Sequence, residues 1–138
     1  MEFSRRDTLA LGLGVAVATV IPFRAFAAAD EAIAAFTGGA DVGAGGITLT
    51  APEIAENGNT VPIAVSAPGA ATIMVFASGN PTPGVVTFNF GALAGDQSAS
   101  TRIRLAGTQD VIAVAKMADG SFVQASSTVK VTIGGCGG

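Results

Sequence analysis

The sequence has 138 residues, 49% of them hydrophobic and only 12% charged, with a formal net charge of −3; this is one domain with ample material for a core, and it excludes a disordered chain. Histidine, tryptophan and tyrosine are absent and cysteine occurs once, which excludes a histidine-based triad and a multi-cysteine zinc site within one chain. The acidic residues are scattered singly, without a D-x-D-x-D-G pattern, so no metal ligand set is assigned, although composition alone leaves a carboxylate-based site open.

Residues 1–27 read as a targeting segment. Arg5-Arg6 precedes an uncharged stretch from Thr8 to Phe23, and Ala25-Phe26-Ala27 forms an A-x-A cleavage signal. The arginine pair before a moderately apolar run is similar to a twin-arginine export signal, with Thr8 where such signals often carry Phe. A retained membrane anchor is the weaker reading. Gly12, Gly14 and Pro22 interrupt the run, which is short for the roughly 20 apolar residues of a span. The expected product is periplasmic, begins at Ala28, and has no membrane contact once processed. In it, eight acidic residues face Arg102, Arg104, Lys116 and Lys130, a net charge of −4. That balance offers no basic footprint for nucleic acid.

In the remaining chain, Asp30 to Phe36 reads as a short helix capped by Asp30 and stopped by Thr37-Gly38-Gly39. Gly43-Ala44-Gly45-Gly46 reads as a joint, after which the pattern turns to β. Ile47 to Thr50 alternates, Glu56-Asn57-Gly58-Asn59 is a turn, and Val61, Ile63 and Val65 share a face. Thr72 to Ala77 is a nearly continuous apolar run, the mark of a central strand, and the two prolines of Ser78 to Gly84 place a loop after it. Val86, Phe88 and Phe90 share the next face. Ile103 and Leu105 point inward while Arg102 and Arg104 face out. Gln109 to Lys116 is strongly apolar, Asp119-Gly120 signals a two-residue hairpin, and Val129, Val131 and Ile133 close with a period of two. About seven strands over residues 28–133 predict an all-β, immunoglobulin-like β-sandwich, with a small barrel as the alternative.

The last five residues, 134–138, are Gly134-Gly135-Cys136-Gly137-Gly138. Four glycines supply nothing that packs, so this segment is expected to be a flexible arm. Cys136 stands three residues past Ile133, which lets its sulfur reach about 10 Å beyond the sheet edge. Free cysteine is ordinarily among the most buried residue types, and its exposure in an oxidising compartment is a liability. Flanking glycines on both sides instead serve access to the sulfur. An accessible thiolate can hold sulfur as a disulfide, persulfide or thiosulfonate. The arm carries no Lys, Arg or His to activate the thiol, so partner enzymes are expected to supply the activation.

The leader, the segment Ala51-Pro52-Glu53-Ile54-Ala55-Glu56-Asn57-Gly58-Asn59-Thr60-Val61-Pro62 and the Gly-Gly-Cys-Gly-Gly tail together resemble the SoxY family, carrier subunits of the periplasmic thiosulfate-oxidising Sox system. The resemblance implies a covalent sulfur carrier, not an enzyme, with its cargo on Cys136 and no bound cofactor. It further implies pairing with a second β-sandwich subunit, SoxZ. A c-type cytochrome enzyme (SoxAX) would join thiosulfate to the cysteine, a hydrolase (SoxB) would release sulfate, and a molybdenum–haem dehydrogenase (SoxCD) would oxidise the remaining sulfane sulfur.

Two other readings of the residues stand beside this one. A terminal Gly137-Gly138 also ends ubiquitin-like carriers, which hold sulfur as a thiocarboxylate but need a long helix across their sheet, which this sequence is not expected to form. A periplasmic immunoglobulin-like binding or chaperone module would leave Cys136 incidental. An exposed thiol also allows a disulfide homodimer through Cys136.

Overall fold

The computed structural model describes residues 21–133, with side chains from residue 28 onward. Its first element is helix α1, Ile21–Thr37. Nine strands follow among the described residues: β1 (Val42–Ala44), β2 (Thr48–Thr50), β3 (Ile54–Ala55), β4 (Val61–Ser66), β5 (Ala70–Ala77), β6 (Gly84–Asn89), β7 (Ser98–Ile103), β8 (Gln109–Met117) and β9 (Phe122–Val131). They form two sheets. The larger has the order β1-β9-β8-β5-β6, with β3 also paired to β9; the smaller has the order β2-β4-β7. The result is a β-sandwich.

The main core lies between the sheets. Val61, Ile63 and Val65 of β4 face Ile73 and Val75 of β5 and Val111, Ala113 and Ala115 of β8, with Ile103, Leu105 and Val129 closing the layer. Small and β-branched residues dominate, which suits strands whose pleated faces must meet closely. Val86, Phe88 and Phe90 pack against this core from the β6 edge, as their shared face predicts.

A second, smaller core lies on the outer face of the large sheet. Phe76, Val114 and Phe122 are buried there beneath Ala32, Ile33 and Phe36 of α1. Ala29, Ala32, Ile33 and Phe36 recur at i, i+3, i+4 and i+7, the spacing that places residues on one helical face. Phe36 meets Phe76 and Phe122 edge-on, with ring centroids 6.3 and 5.9 Å apart. The molecule therefore has three layers: a helix, a six-stranded sheet and a three-stranded sheet.

Four sequence expectations are corrected here. The helix starts well before Asp30, which lies in its interior and does not cap it; the alanines around residues 25–29 favour continuation of the helix over a start at Asp30. The helix is also long enough to lie across a sheet, contrary to the expectation that no such helix exists. Of the glycine-rich joint, Gly43 and Ala44 belong to β1, which pairs in parallel with Phe122, Val123 and Gln124 through backbone bonds that need no side-chain pattern. Only Gly45 and Gly46, with φ of 88° and 80°, form the turn.

The fourth correction concerns the hairpin between β8 and β9. Its loop has three residues, Ala118-Asp119-Gly120, inside the pair Met117 and Ser121. Gly120 N–H donates to Met117 O (3.0 Å) and Met117 N–H to Ser121 O (2.8 Å), the pattern of a turn followed by a left-handed glycine. Asp119 Oδ1 accepts hydrogen bonds from the Ser121 hydroxyl and N–H, at 2.6 and 2.9 Å. These two bonds hold the Asp119 carboxyl below its ordinary pKa. Gly120 has φ of 90° and open space where a Cβ would stand. Gly120→Ala should therefore lose about 1–2 kcal/mol from backbone strain alone, read as a lower midpoint in urea unfolding. An unchanged midpoint would show that the loop relaxes without cost.

The helix stop is as the sequence indicates. Gly38 and Gly39 take φ of 68° and 82°, and Gly39 N–H reaches back to Ala34 O at 3.2 Å, a Schellman closure that satisfies an end carbonyl.

Candidate functional site

Arg5 and Arg6, and the arm Gly134, Gly135, Cys136, Gly137 and Gly138, lie outside the described residues, as do the side chains of Ala25 and Ala27. What the structure places is the end of β9, from which the sequence continues to residues 134–138. β9 ends at Val131, and Thr132 and Ile133 are the last described residues.

That exit is tied down from both sides. On one side runs a strap formed by residues 53–58. Lys130 N–H donates to Glu53 O (2.9 Å), Thr132 N–H to Ala55 O (3.0 Å) and Gly58 N–H to Ile133 O (2.7 Å). The Thr132 hydroxyl adds a bond to Glu56 O at 3.1 Å. Ile54 and Ala55 are the parallel partners of Lys130 and Val131 in this strap. On the other side, Val131 N–H donates to the Thr108 hydroxyl at 3.0 Å. The Glu56-Asn57-Gly58-Asn59 turn thus has a specific task. Gly58 is buried, and while its N–H holds Ile133, its carbonyl accepts Leu105 N–H at 2.7 Å. One residue joins the end of β9 to the segment that follows β7, linking the two sheets at the end of the sandwich where Ile133 lies.

The neighbouring loops are held by a polar network. Gln109 is buried, and its Nε2 donates to Asn80 Oδ1 (2.9 Å) and Gly107 O (3.0 Å), while its Oε1 accepts Gly79 N–H (2.8 Å). Asn80 in turn donates to Arg104 O (2.7 Å) and accepts Ala106 N–H (2.9 Å). Every buried side-chain polar atom among the described residues has a partner, so this network stiffens the exit end without leaving a desolvated group unsatisfied. Sequence reading missed the strap, the Gly58 bridge and the Gln109–Asn80 pair. Only the turn signal at Asn57-Gly58 marked one of them in advance.

Among the described residues no cluster of three or more acidic or cysteine side chains stands close enough to hold a metal ion, and no helix is long and apolar enough to cross a membrane. The outer face of the small sheet forms a shallow trough lined by Thr48, Thr50, Ala64, Ser66, Ser98 and Ser100, hydroxyls and methyls without a titratable group.

The family model described as "Sulfur oxidation protein SoxY" matches residues 33–136. The chain belongs to the SoxY family. The match to SoxY begins within α1 and runs through Cys136. The sulfur carrier protein SoxY from Chlorobium limicola f thiosulfatophilum is 37% identical, with a TM-score of 0.64 over 75% of this chain and 96% of its own. Superoxide reductase (neelaredoxin) from Ignicoccus hospitalis shares the fold alone, at 14% identity and a TM-score of 0.55 over 63% of this chain and 80% of its own. A sequence search of curated proteins finds no match. SoxY membership decides against a ubiquitin-like carrier, despite the helix on the sheet.

Proposed function

We propose that this chain is a covalent sulfur carrier of periplasmic thiosulfate oxidation, with each intermediate held on the sulfur of Cys136. The observation that carries this reading is the extension of the SoxY match to residue 136, the position of the chain's one cysteine, set among four glycines. The similar Chlorobium protein is a sulfur carrier protein, and the doubly tied exit at Ile133 supplies the fixed base such a carrier needs.

The chemistry follows from the thiol. Loading joins the Cys136 thiol to the outer sulfur of thiosulfate; the thiol proton leaves and two electrons pass to a cytochrome enzyme of the SoxAX type. The product is a thiosulfonate, Cys–S–S–SO3−. Hydrolysis by a SoxB-type enzyme breaks the bond between the sulfane sulfur and the sulfonate, releases sulfate and a proton, and leaves a persulfide. A SoxCD-type dehydrogenase would then oxidise that sulfur. Residues 134–138 carry no Lys, Arg or His to activate the thiol, so in this reading the partner sites supply the activation. The carrier itself is not a catalyst in this scheme. A SoxZ-like β-sandwich subunit is its standing partner, and a disulfide homodimer through Cys136 would be a side product of the same thiol chemistry.

In the same reading residues 1–27 are removed on export. Cleavage after Ala27 would keep Ala29, Ala32, Ile33 and Phe36, the described packed residues of α1, in the product.

The direct test is mass spectrometry of the mature protein from cells oxidising thiosulfate. A mass increase on the peptide containing Cys136, released by a thiol reductant, is expected. Sulfur found on the Gly138 carboxyl, or no adduct on Cys136, would overturn the carrier reading.

A further inference from the structure

The sequence has asparagine at positions 57, 59, 80 and 89, and only Asn57 is followed by glycine. That pair has a chemistry of its own. The backbone nitrogen of the next residue can attack an asparagine side-chain amide, and glycine has no Cβ to obstruct the approach. Asn59 is followed by Thr60 and Asn89 by Phe90, both bulkier, and Asn80 by Pro81, which has no N–H.

The structure holds the two partners of this reaction differently. Asn57 is exposed and Gly58 is buried. Asn57 Oδ1 accepts Asn59 N–H at 3.0 Å, and Asn57 O accepts Thr60 N–H at 3.4 Å. The side-chain amide is therefore folded forward over a β-turn whose second residue is Gly58, and water reaches it. The attacking nitrogen is withheld. Gly58 N–H donates to Ile133 O at 2.7 Å. The residue before Ile133 is held to the same strap, since Thr132 N–H donates to Ala55 O at 3.0 Å and its hydroxyl to Glu56 O at 3.1 Å. The nitrogen is freed only when the end of β9 lifts from the strap.

We propose that Asn57-Gly58 is a masked self-modification site, converted to aspartate or isoaspartate when the end of β9 opens. The inference does not rest on the carrier reading. Once released, the Gly58 nitrogen gives its proton to solvent and bonds to Asn57 Cγ. The Cγ–Nδ2 bond breaks, the nitrogen takes up a proton and leaves as ammonia, and a succinimide ring closes. Water opens the ring at either carbonyl, and no electron changes hands. Opening at one carbonyl gives aspartate. Opening at the other routes the main chain through the side chain of residue 57, which lengthens the backbone just before Gly58. That shift moves Gly58 out of step with both Ile133 and Leu105, whose N–H the Gly58 carbonyl accepts at 2.7 Å. Either product adds a carboxylate to a strap that already exposes Glu53 and Glu56, and like charges repel. Modification thus loosens the closure that holds it off.

The test follows two rates in the purified chain. One is conversion of Asn57, read by peptide mapping for aspartate and isoaspartate. The other is hydrogen exchange at Gly58 N–H. In native buffer Asn57 should convert at least about ten-fold more slowly than in the same chain unfolded in urea, the factor set by an opening free energy of about 1.4 kcal/mol. Gly58 exchange should be slowed by a similar factor, because both reactions need the same opening. Thr132→Pro removes the Thr132 N–H and hydroxyl and should speed both rates about five-fold, as the loss of a modest hydrogen bond would. In the parent, urea below the unfolding transition should raise the two rates together, so the comparison holds even if the proline variant does not fold. Equal conversion in the native and unfolded chains would overturn the proposal, as would no conversion in the unfolded chain. Slow native conversion that fails to follow Gly58 exchange would place the protection elsewhere than at the Ile133 bond and overturn it too. None of these outcomes bears on Cys136.

Discussion

Cys136→Ser should reduce thiosulfate-dependent electron transfer to background in a system reconstituted from the carrier, its SoxZ-like partner and the Sox enzymes. Serine keeps the size of the side chain and removes the one atom that the scheme needs. A hydroxyl is not ionised at neutral pH and forms no disulfide, persulfide or thiosulfonate. The chain has no other cysteine to take over, so a partial effect is not expected. If Cys136 is as accessible as the carrier reading requires, the variant should unfold within about 0.5 kcal/mol of the parent, the strap, Thr108 and Gly58 bonds that hold the end of β9 being unchanged. Partner binding should also persist. Full electron transfer by the serine variant would end the carrier reading and favour a binding module with an incidental thiol.

The second large effect concerns the helix layer. Phe76→Ala should cost about 3–5 kcal/mol, the range for truncating a buried aromatic to alanine. Phe76 has no solvent exposure and lies between the sheet and α1, where Phe36 closes on it edge-first. The cavity left behind cannot easily collapse, because Val114 and Phe122 beside it are fixed by β8–β9 pairing. With a total stability of about 5–15 kcal/mol for an ordinary domain, this substitution brings the fold close to its limit. The measurement is the urea midpoint with the slope compared between variants. A shift below about 1 kcal/mol, well under the usual range for such a truncation, would show that α1 does not seal this face. Phe36→Ala should cost less, since Phe36 is only half-buried.

The sandwich was legible in the sequence wherever side chains alternate. Val61, Ile63 and Val65 announce β4, and Val86 and Phe88 announce β6, because a half-buried strand needs a period of two. Strands without that signature stayed hidden. β1 contains Gly43, and β3 has only two residues; both pair in parallel with β9 through the backbone, across long stretches of chain. The helix was placed but its extent was not, since alanines permit a helix without marking its start. That α1 covers the large sheet follows from Phe76, Val114 and Phe122 pointing away from the main core, a fact that needs the sheet order before it means anything. At the candidate site the contrast is sharper. The cysteine stands out because it is single and surrounded by glycines. Its mooring does not, because Gly58 works through N–H and C=O groups that every non-proline residue possesses.

The bonds at the exit have a mechanical meaning. Those to Lys130, Thr132 and Ile133 on one side and to Val131 on the other run across β9. In the proposed carrier reading, an enzyme that drew on the segment beyond Ile133 along the line of β9 would load these bonds together in shear and not peel them one after another. The Gly58 junction passes part of that tension to the segment after β7, and with it to the opposite sheet.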